Sequence, residues 1–245
     1  VVDFFLGGRI YKTEDPRKRK QLLVVSLTTN LGLLGLFKYT NFFIDLLNTV
    51  ALWAGVEWAA QPMDITLPVG ISFYTFQTLS YTLDIYRGKL NPEERPTHFF
   101  FFVAAFPQLV AGPIVRAADF LPQLRNEFRN NRDYSGIGLI VYGLFKKIVL
   151  ADTLGYLLVD KVFAEPSAYS SPELLVGIYA YAFQIFLDFS AYSDIAIGVG
   201  KLLGLDFPLN FNAPYIARNI GDFWQRWHIT LSTWFRDYLY LPLGG

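Results

Sequence analysis

The sequence contains no cysteine. That excludes disulfides, thiolate metal sites and a cysteine nucleophile, and it leaves the compartment open. Charge is scarce as well, at 17% of residues, where an ordinary soluble domain carries about 25%. The 21 basic and 21 acidic residues cancel, so no global basic field argues for a nucleic-acid partner. There are only two histidines, His98 and His228. The chain has no HExxH, no cysteine cluster, no glycine-rich phosphate loop and no GxSxG elbow. A soluble hydrolase or nucleotide enzyme is therefore disfavoured, and no metal-ligand set stands out. No cleavable signal pattern is visible, and the first residue is Val rather than Met, which reads as a non-native start. With no internal repeat, low-complexity tract or linker, residues 1–245 read as one domain.

What is present is apolar. Hydrophobic residues make up 53% and aromatics 18%, and mean hydropathy is +0.30. These values point to an all-α integral membrane protein, a multi-span helical bundle in the lipid bilayer, since a spanning helix needs about 20 mostly apolar residues. Leu22–Phe37 is the first candidate span, with a second, more amphipathic helix through Asn41–Val56. Ile65–Tyr86, Gly138–Val159 and Glu173–Phe189 follow, and Ser190–Leu205 is apolar but short and glycine-rich. The basic run Arg17–Lys20 reads as cytoplasmic, and so does the cluster Arg87, Lys89 and Arg95. The run His98–Val115 has basic flanks on both sides, the second being Arg116, Arg125, Arg129 and Arg132. Pro107, Gln108, Gly112 and Pro113 interrupt it, which fits a re-entrant element, or alternatively a proline-kinked helix. Ala164–Glu173 reads as an extracytoplasmic turn.

Ionisable groups inside apolar spans call for a reason. Asp84 and Arg87 have the spacing of an interfacial i,i+3 pair. Lys146 and Lys147 are adjacent, so one helical face cannot hold both, and at least one faces protein or water. Asp188 and Asp194 are six residues apart. A helix break near Ser190 would let both face one polar cavity, for acid–base work or cation binding. The plainer reading pairs each with a basic residue of a neighbouring span.

The chain closes on "FWQRWHITLSTWFRDYLYLPLGG", Phe223–Gly245. The periodicity predicts one helix from about Asp222, with Asp222 and Arg226 as i,i+4 partners. On that helix Trp224, His228, Leu231, Ser232 and Phe235 share one face. His228 there could serve as a general base or polarise a carbonyl, or be a hydrogen-bonded structural histidine.

This stretch resembles the signature of membrane-bound O-acyltransferases, most of all the branch that acetylates alginate and related exopolysaccharides. "LPVGISFYTFQTLSYTLDIYRG", "FPQLVAGPIVR", "YGLFKKIVLADTL" and Asp188–Gly245 are similar to the family in the same order, so the resemblance covers nearly the whole chain. It implies a bundle with re-entrant elements around a funnel. It also implies an acetyl group taken from a cytoplasmic thioester, acetyl-CoA or a carrier-protein thioester, with no bound cofactor or metal. The polysaccharide acceptor and partner acetyltransferases would be periplasmic, and the location would be the bacterial inner membrane, multi-pass. His228 matches the first of two family histidines. The second, regarded as the catalytic one, lies well downstream and has no counterpart here, and His98 is in the wrong context. The chain is accordingly expected to be the middle of a longer protein, incomplete at both ends and inactive alone. Within this chain His228 is the expected catalytic residue, positioning or polarising a reactant while the missing histidine acts as the main base. Arg226, Arg236 and Asp237 would order the site, Trp224 and Trp227 would shape the tunnel wall, and Asp188 and Asp194 would line the funnel. Competing readings are D-alanyl transfer to teichoic acid, a transporter using the buried charges, and a non-catalytic scaffold.

Overall fold

The structure is a computed structural model that describes residues 1–109, 112–125 and 133–245. It is helical, with no strand among the described residues. The chain forms two compact units. The first holds Val1–Ala105 and Arg116–Leu121, the second Phe106–Val115 and Pro122–Gly245.

The first unit is built from α1 (Val2–Lys12), α2 (Pro16–Trp53), α3 (Ile71–Tyr86) and α4 (Pro96–Ala104). Helix α2 starts where the local chemistry favours it. Pro16 occupies its first turn and the Asp15 carboxylate accepts the Arg17 N–H at 2.8 Å. It then runs 38 residues without a break, so the two helices expected over Leu22–Val56 are one. Asn41 and Asn48 do not interrupt it, because their carboxamides face the following loop. They exchange hydrogen bonds with the backbone of Met63 and Ala60, respectively. The span expected over Ile65–Tyr86 is shorter in the structure. Its helix begins only at Ile71, after Pro68 and a left-handed Gly70.

Helices α1, α2 and α3 enclose a polar core. Asp3 is 5% exposed and Ser26 fully buried. Ser26 Oγ donates to Asp3 Oδ1 at 2.5 Å, and Asn30 Nδ2 lies 2.9 Å from both carboxylate oxygens. Thr78 Oγ1 donates to Asn30 Oδ1, and Thr82 Oγ1 lies 3.0 Å from Ser26 Oγ. Tyr81, Phe99, Phe102 and Phe120 form the adjoining apolar core. Asp84 is buried here too.

The second unit opens with α5 (Phe106–Leu109), which packs on a later long helix, α10. Gly112–Arg116 is not helical. The run His98–Val115 is thus broken, as its prolines and glycine predict, although Val110 and Ala111 lie outside the described residues. The same holds for 126–132, with Arg129 and Arg132 of the basic flank. Gly112 has no room for a side chain, since a Cβ there would lie 2.5 Å from Gln108 Cα. Helix α6 (Ala117–Arg125) begins in the first unit and ends in the second.

The body of the second unit is a helical rod against α10 (Ser171–Leu202). The rod is α7 (Ser135–Leu144), the π-helical segment π1 (Phe145–Ala151), α8 (Asp152–Leu154), π2 (Gly155–Val159) and α9 (Asp160–Ala164). A Ser170–Glu173 capping box opens α10. Small residues let the backbones touch: a Cβ on Gly143 would lie 2.8 Å from the Ala191 carbonyl, and one on Gly198 2.6 Å from that of Gly136. Helix α10 is continuous through Ser190, so no break turns Asp188 and Asp194 toward one cavity.

Each carboxylate has a lysine instead. Lys146 Nζ reaches Asp194 at 2.6 Å and Ser190 Oγ at 2.9 Å. Lys147 Nζ sits 2.8 Å from both Asp152 and Asp188. Both lysines lie in π1, whose wider turn re-registers the helix face. Two adjacent lysines can therefore both engage α10. After α10 come α11 (Ile220–Arg226), α12 (Ile229–Phe235) and π3 (Arg236–Tyr240).

Only α2 and α10 are long and apolar enough to cross a membrane among the described helices. Their outer faces expose Val24, Leu31, Leu36, Phe42, Leu175, Val176, Ile178 and Phe183. Apolar surface on that scale suits lipid rather than water.

Candidate functional site around His228

The closing stretch is not one helix. Helix α11 ends at Arg226 and α12 begins at Ile229, and between them His228 adopts φ 41° and ψ 54°. This left-handed conformation is costly for a non-glycine residue, by about 1–3 kcal/mol. The expected face uniting Trp224 with His228 and Phe235 is therefore broken at His228. The reason is tertiary. The loop at Asn210–Asn212 pairs with the main chain on both sides of the break. Ile229 N donates to the Asn210 carbonyl at 2.9 Å, and Asn212 N donates to the Arg226 carbonyl at 2.9 Å.

The imidazole of His228 is enclosed by aromatic rings. Phe189 of α10 meets it edge-on at 4.7 Å between centroids, and Phe211 lies stacked at 6.4 Å. Nε2 is buried and makes no hydrogen bond. Burial pushes the imidazole pKa down from 6.5 to about 4, because the charged form loses its hydration. His228 is therefore neutral at physiological pH. A buried ring nitrogen without a partner costs stability unless a reactant uses it.

The other expected site residues divide into two groups. Trp227 joins the histidine's aromatic wall, stacked on Phe223 at 5.6 Å and edge-on to Phe211 at 5.2 Å. Phe186 and Tyr215 complete that wall. Arg226 pairs with Asp222 at 2.6 Å, the expected i,i+4 partner, and reaches the Asn212 carbonyl. Hydrogen bonds from the Arg226 side chain, then from the Arg218 backbone, hold the Asp222 carboxyl below its usual range. Trp224, Arg236 and Asp237 lie apart from the imidazole. Trp224 is half-exposed, and Arg236 forms a two-pronged pair with Asp237 at 2.7 and 3.2 Å. Trp224 and Arg236 line a groove of about 1370 Å³ with Gln225, Ser232, Phe235 and Tyr240, and His228 is not in its wall. Asp188 and Asp194 face their lysines. Among the described residues no group of three or more His, Cys, Asp or Glu is placed to hold a metal.

Residues that sequence reading missed are Phe189, Phe211, Ser193, Asn210 and Thr230. Asn210 and Phe211 sit in "PLNFNAP", whose Pro and Asn content signals a turn but not its partner.

An all-helical membrane protein with a neutral, unsatisfied histidine at a strained break is the class this geometry defines. The membrane-bound O-acyltransferase family profile matches residues 95–245, and the chain belongs to that family. It is 42% identical over 250 residues to the probable alginate O-acetylase AlgI of Pseudomonas aeruginosa, covering 100% of this chain and 47% of that protein. To the peptidoglycan O-acetyltransferase of Helicobacter pylori it is 37% identical over 276 residues, covering 100% of this chain and 51% of that one. A teichoic acid D-alanyltransferase of Bacillus subtilis is 32% identical over 188 residues, 74% of this chain and 46% of that protein. The chain thus spans about half the length of these curated relatives.

Proposed function

We propose that the full-length protein is a multi-pass enzyme of the bacterial inner membrane that transfers an acetyl group to hydroxyls of an exported polysaccharide. The donor is a cytoplasmic thioester, acetyl-CoA or a carrier-protein thioester. The acceptor and partner acetyltransferases lie on the periplasmic side. The cytoplasmic basic clusters, the broken Phe106–Val115 segment as a re-entrant element and a funnel ending at His228 belong to this reading.

The observation that carries it is the neutral imidazole of His228 with its unused Nε2, within the stretch that the family profile covers. In the transfer, the thioester C–S bond breaks and a C–O bond forms to the hydroxyl oxygen. The hydroxyl proton leaves, and the thiolate takes one up. A neutral imidazole can position or polarise a reactant through Nε2, and its aromatic wall keeps bulk water out. Arg226 with Asp222 fixes the end of α11 beside it. The groove walled by Trp224 and Arg236, which His228 does not line, offers apolar surface and a cation for the donor's polar arm.

Acetyl transfer is favoured over D-alanyl transfer by 42% identity across the whole chain against 32% across 74% of it. The two acetylating relatives are named for different glycans, alginate and peptidoglycan, so the acceptor is put at the level of a glycan hydroxyl. The test is His228→Ala in the native full-length protein, measuring acetyl ester on the exported glycan. Loss by a hundredfold or more is expected. Unchanged acetylation removes His228 from the mechanism.

A further inference from the structure

A helix begins with backbone N–H groups that have no acceptor within the helix, and the N-cap side chain ordinarily supplies one. His228 stands at the N-cap of α12 and makes no such bond. Its ring is committed to the pocket of Phe189 and Phe211. The acceptors come instead from Asn210, which is fully buried. The Asn210 carbonyl takes the Ile229 N–H at 2.9 Å. Its side-chain Oδ1 takes the Thr230 N–H at 3.4 Å and the Thr230 hydroxyl at 2.9 Å. The carboxamide is oriented from its other end, where Nδ2 donates to Ser193 Oγ of α10 at 3.1 Å. Thr230 Oγ1 in turn accepts the Ile114 N–H at 3.0 Å. One residue thus satisfies the first two donors of α12 from outside the helix.

We propose that Asn210 is the positioning residue of His228: it caps α12 in place of the histidine, so that the imidazole is held in the left-handed turn with Nε2 free for a reactant. Sequence position hides this, because the capping residue lies 18 positions before the residue it relieves. The role in turnover rests on the acetyl-transfer reading above, whereas the positioning is a property of this chain alone.

The test uses the full-length protein in membranes with Asn210→Ala and Asn210→Asp. Two quantities are measured: kcat and KM for acetyl transfer, and the rate at which diethyl pyrocarbonate modifies His228, read by peptide mass spectrometry against His98 as reference. With Asn210→Ala, kcat is expected to fall at least tenfold with donor KM within twofold. Modification of His228 is expected to speed up at least threefold while His98 stays unchanged. Asn210→Asp keeps the acceptor atoms, and Ser193 can rotate its hydroxyl to donate, so it is expected to restore most of both. If Asn210→Ala leaves the His228 modification rate unchanged, or speeds both histidines equally, the positioning role is overturned. If Asn210→Ala fails to accumulate, Thr230→Ala removes the hydroxyl anchoring the carboxamide and is held to the same criterion. Absence of acetyl ester with the unmutated full-length protein would sink the acetyl-transfer reading, and retained acetylation by His228→Ala would remove His228 from the mechanism. In either case the modification rates would still decide the positioning role of Asn210.

Discussion

The two units handle buried polarity in opposite ways. In the first, the carboxylate of Asp3 is held by neutral donors, Ser26 and Asn30, with Thr78 and Thr82 behind them. Among the described residues no cation pairs with it. In the second, Asp194 is held by the cation of Lys146, and a chain of neutral groups, Ser193, Asn210 and Thr230, is used up in holding backbone. His228 combines two costs: its buried Nε2 makes no hydrogen bond, as with a few other buried atoms such as Gln184 Oε1, and its main chain is strained as theirs is not. Strain and an unmet hydrogen bond at one residue single it out where burial alone does not, because buried polar groups occur throughout the molecule.

The comparison breaks most readily at Lys146. Replacing it with Met leaves Asp194 with no cation, and a loss of about 3–5 kcal/mol is expected. Thermal inactivation of the full-length protein in detergent would register it, and Lys146→Met with Asp194→Leu should recover much of the loss. An unchanged single variant would mean that the ion pair does not anchor the helices. Next comes Gly143→Val. Its branched side chain must push α7 off the Ala191 carbonyl, at about 1–3 kcal/mol, and should separate the same ion pair. In the first unit, Asp3→Asn replaces one acceptor by a donor facing the Asn30 amide. A loss of about 1–2 kcal/mol is expected in the same assay.

His228 sharpens the contrast through pH. Its folded pKa is about 4, against 6.5 for a free imidazole. The unfolded chain therefore binds this proton more readily. The stability attached to the neutral ring is complete above pH 6.5 and is lost as pH falls through about 4. Histidine-selective NMR should show the His228 midpoint near 4, and a midpoint near 6.5 would mean that the ring is solvated. The smallest effect is expected at Asp222→Asn, where the pair with Arg226 is at the surface. Its shift in midpoint temperature should be the least of the set.

Much of this was legible in the sequence. Composition and apolar runs determine a helical membrane protein, because lipid requires every backbone group to bond within its own segment. The Asp222–Arg226 pair and the interruption of the run His98–Val115 follow from local chemistry, since each involves residues within a few positions of one another. The Ser170–Glu173 cap is just as local but was read only as part of a turn. The singling out of His228 came from residue type and from resemblance. Distant partners were not legible. Asn41 and Asn48 do not break α2, because loop backbone 22 and 12 residues away, respectively, takes up their carboxamides. Lys146 and Lys147 both reach α10 because a π turn, not an α turn, carries them. Periodicity placed His228 on a helical face, but a loop 18 residues upstream in the chain holds it in a left-handed turn. Composition and apolar runs were enough for an all-helical membrane protein, and residue type with the closing motif was enough to single out His228 as the candidate. Tertiary structure alone decided where that histidine points, because a strained backbone persists only when groups far away in the chain hold it there.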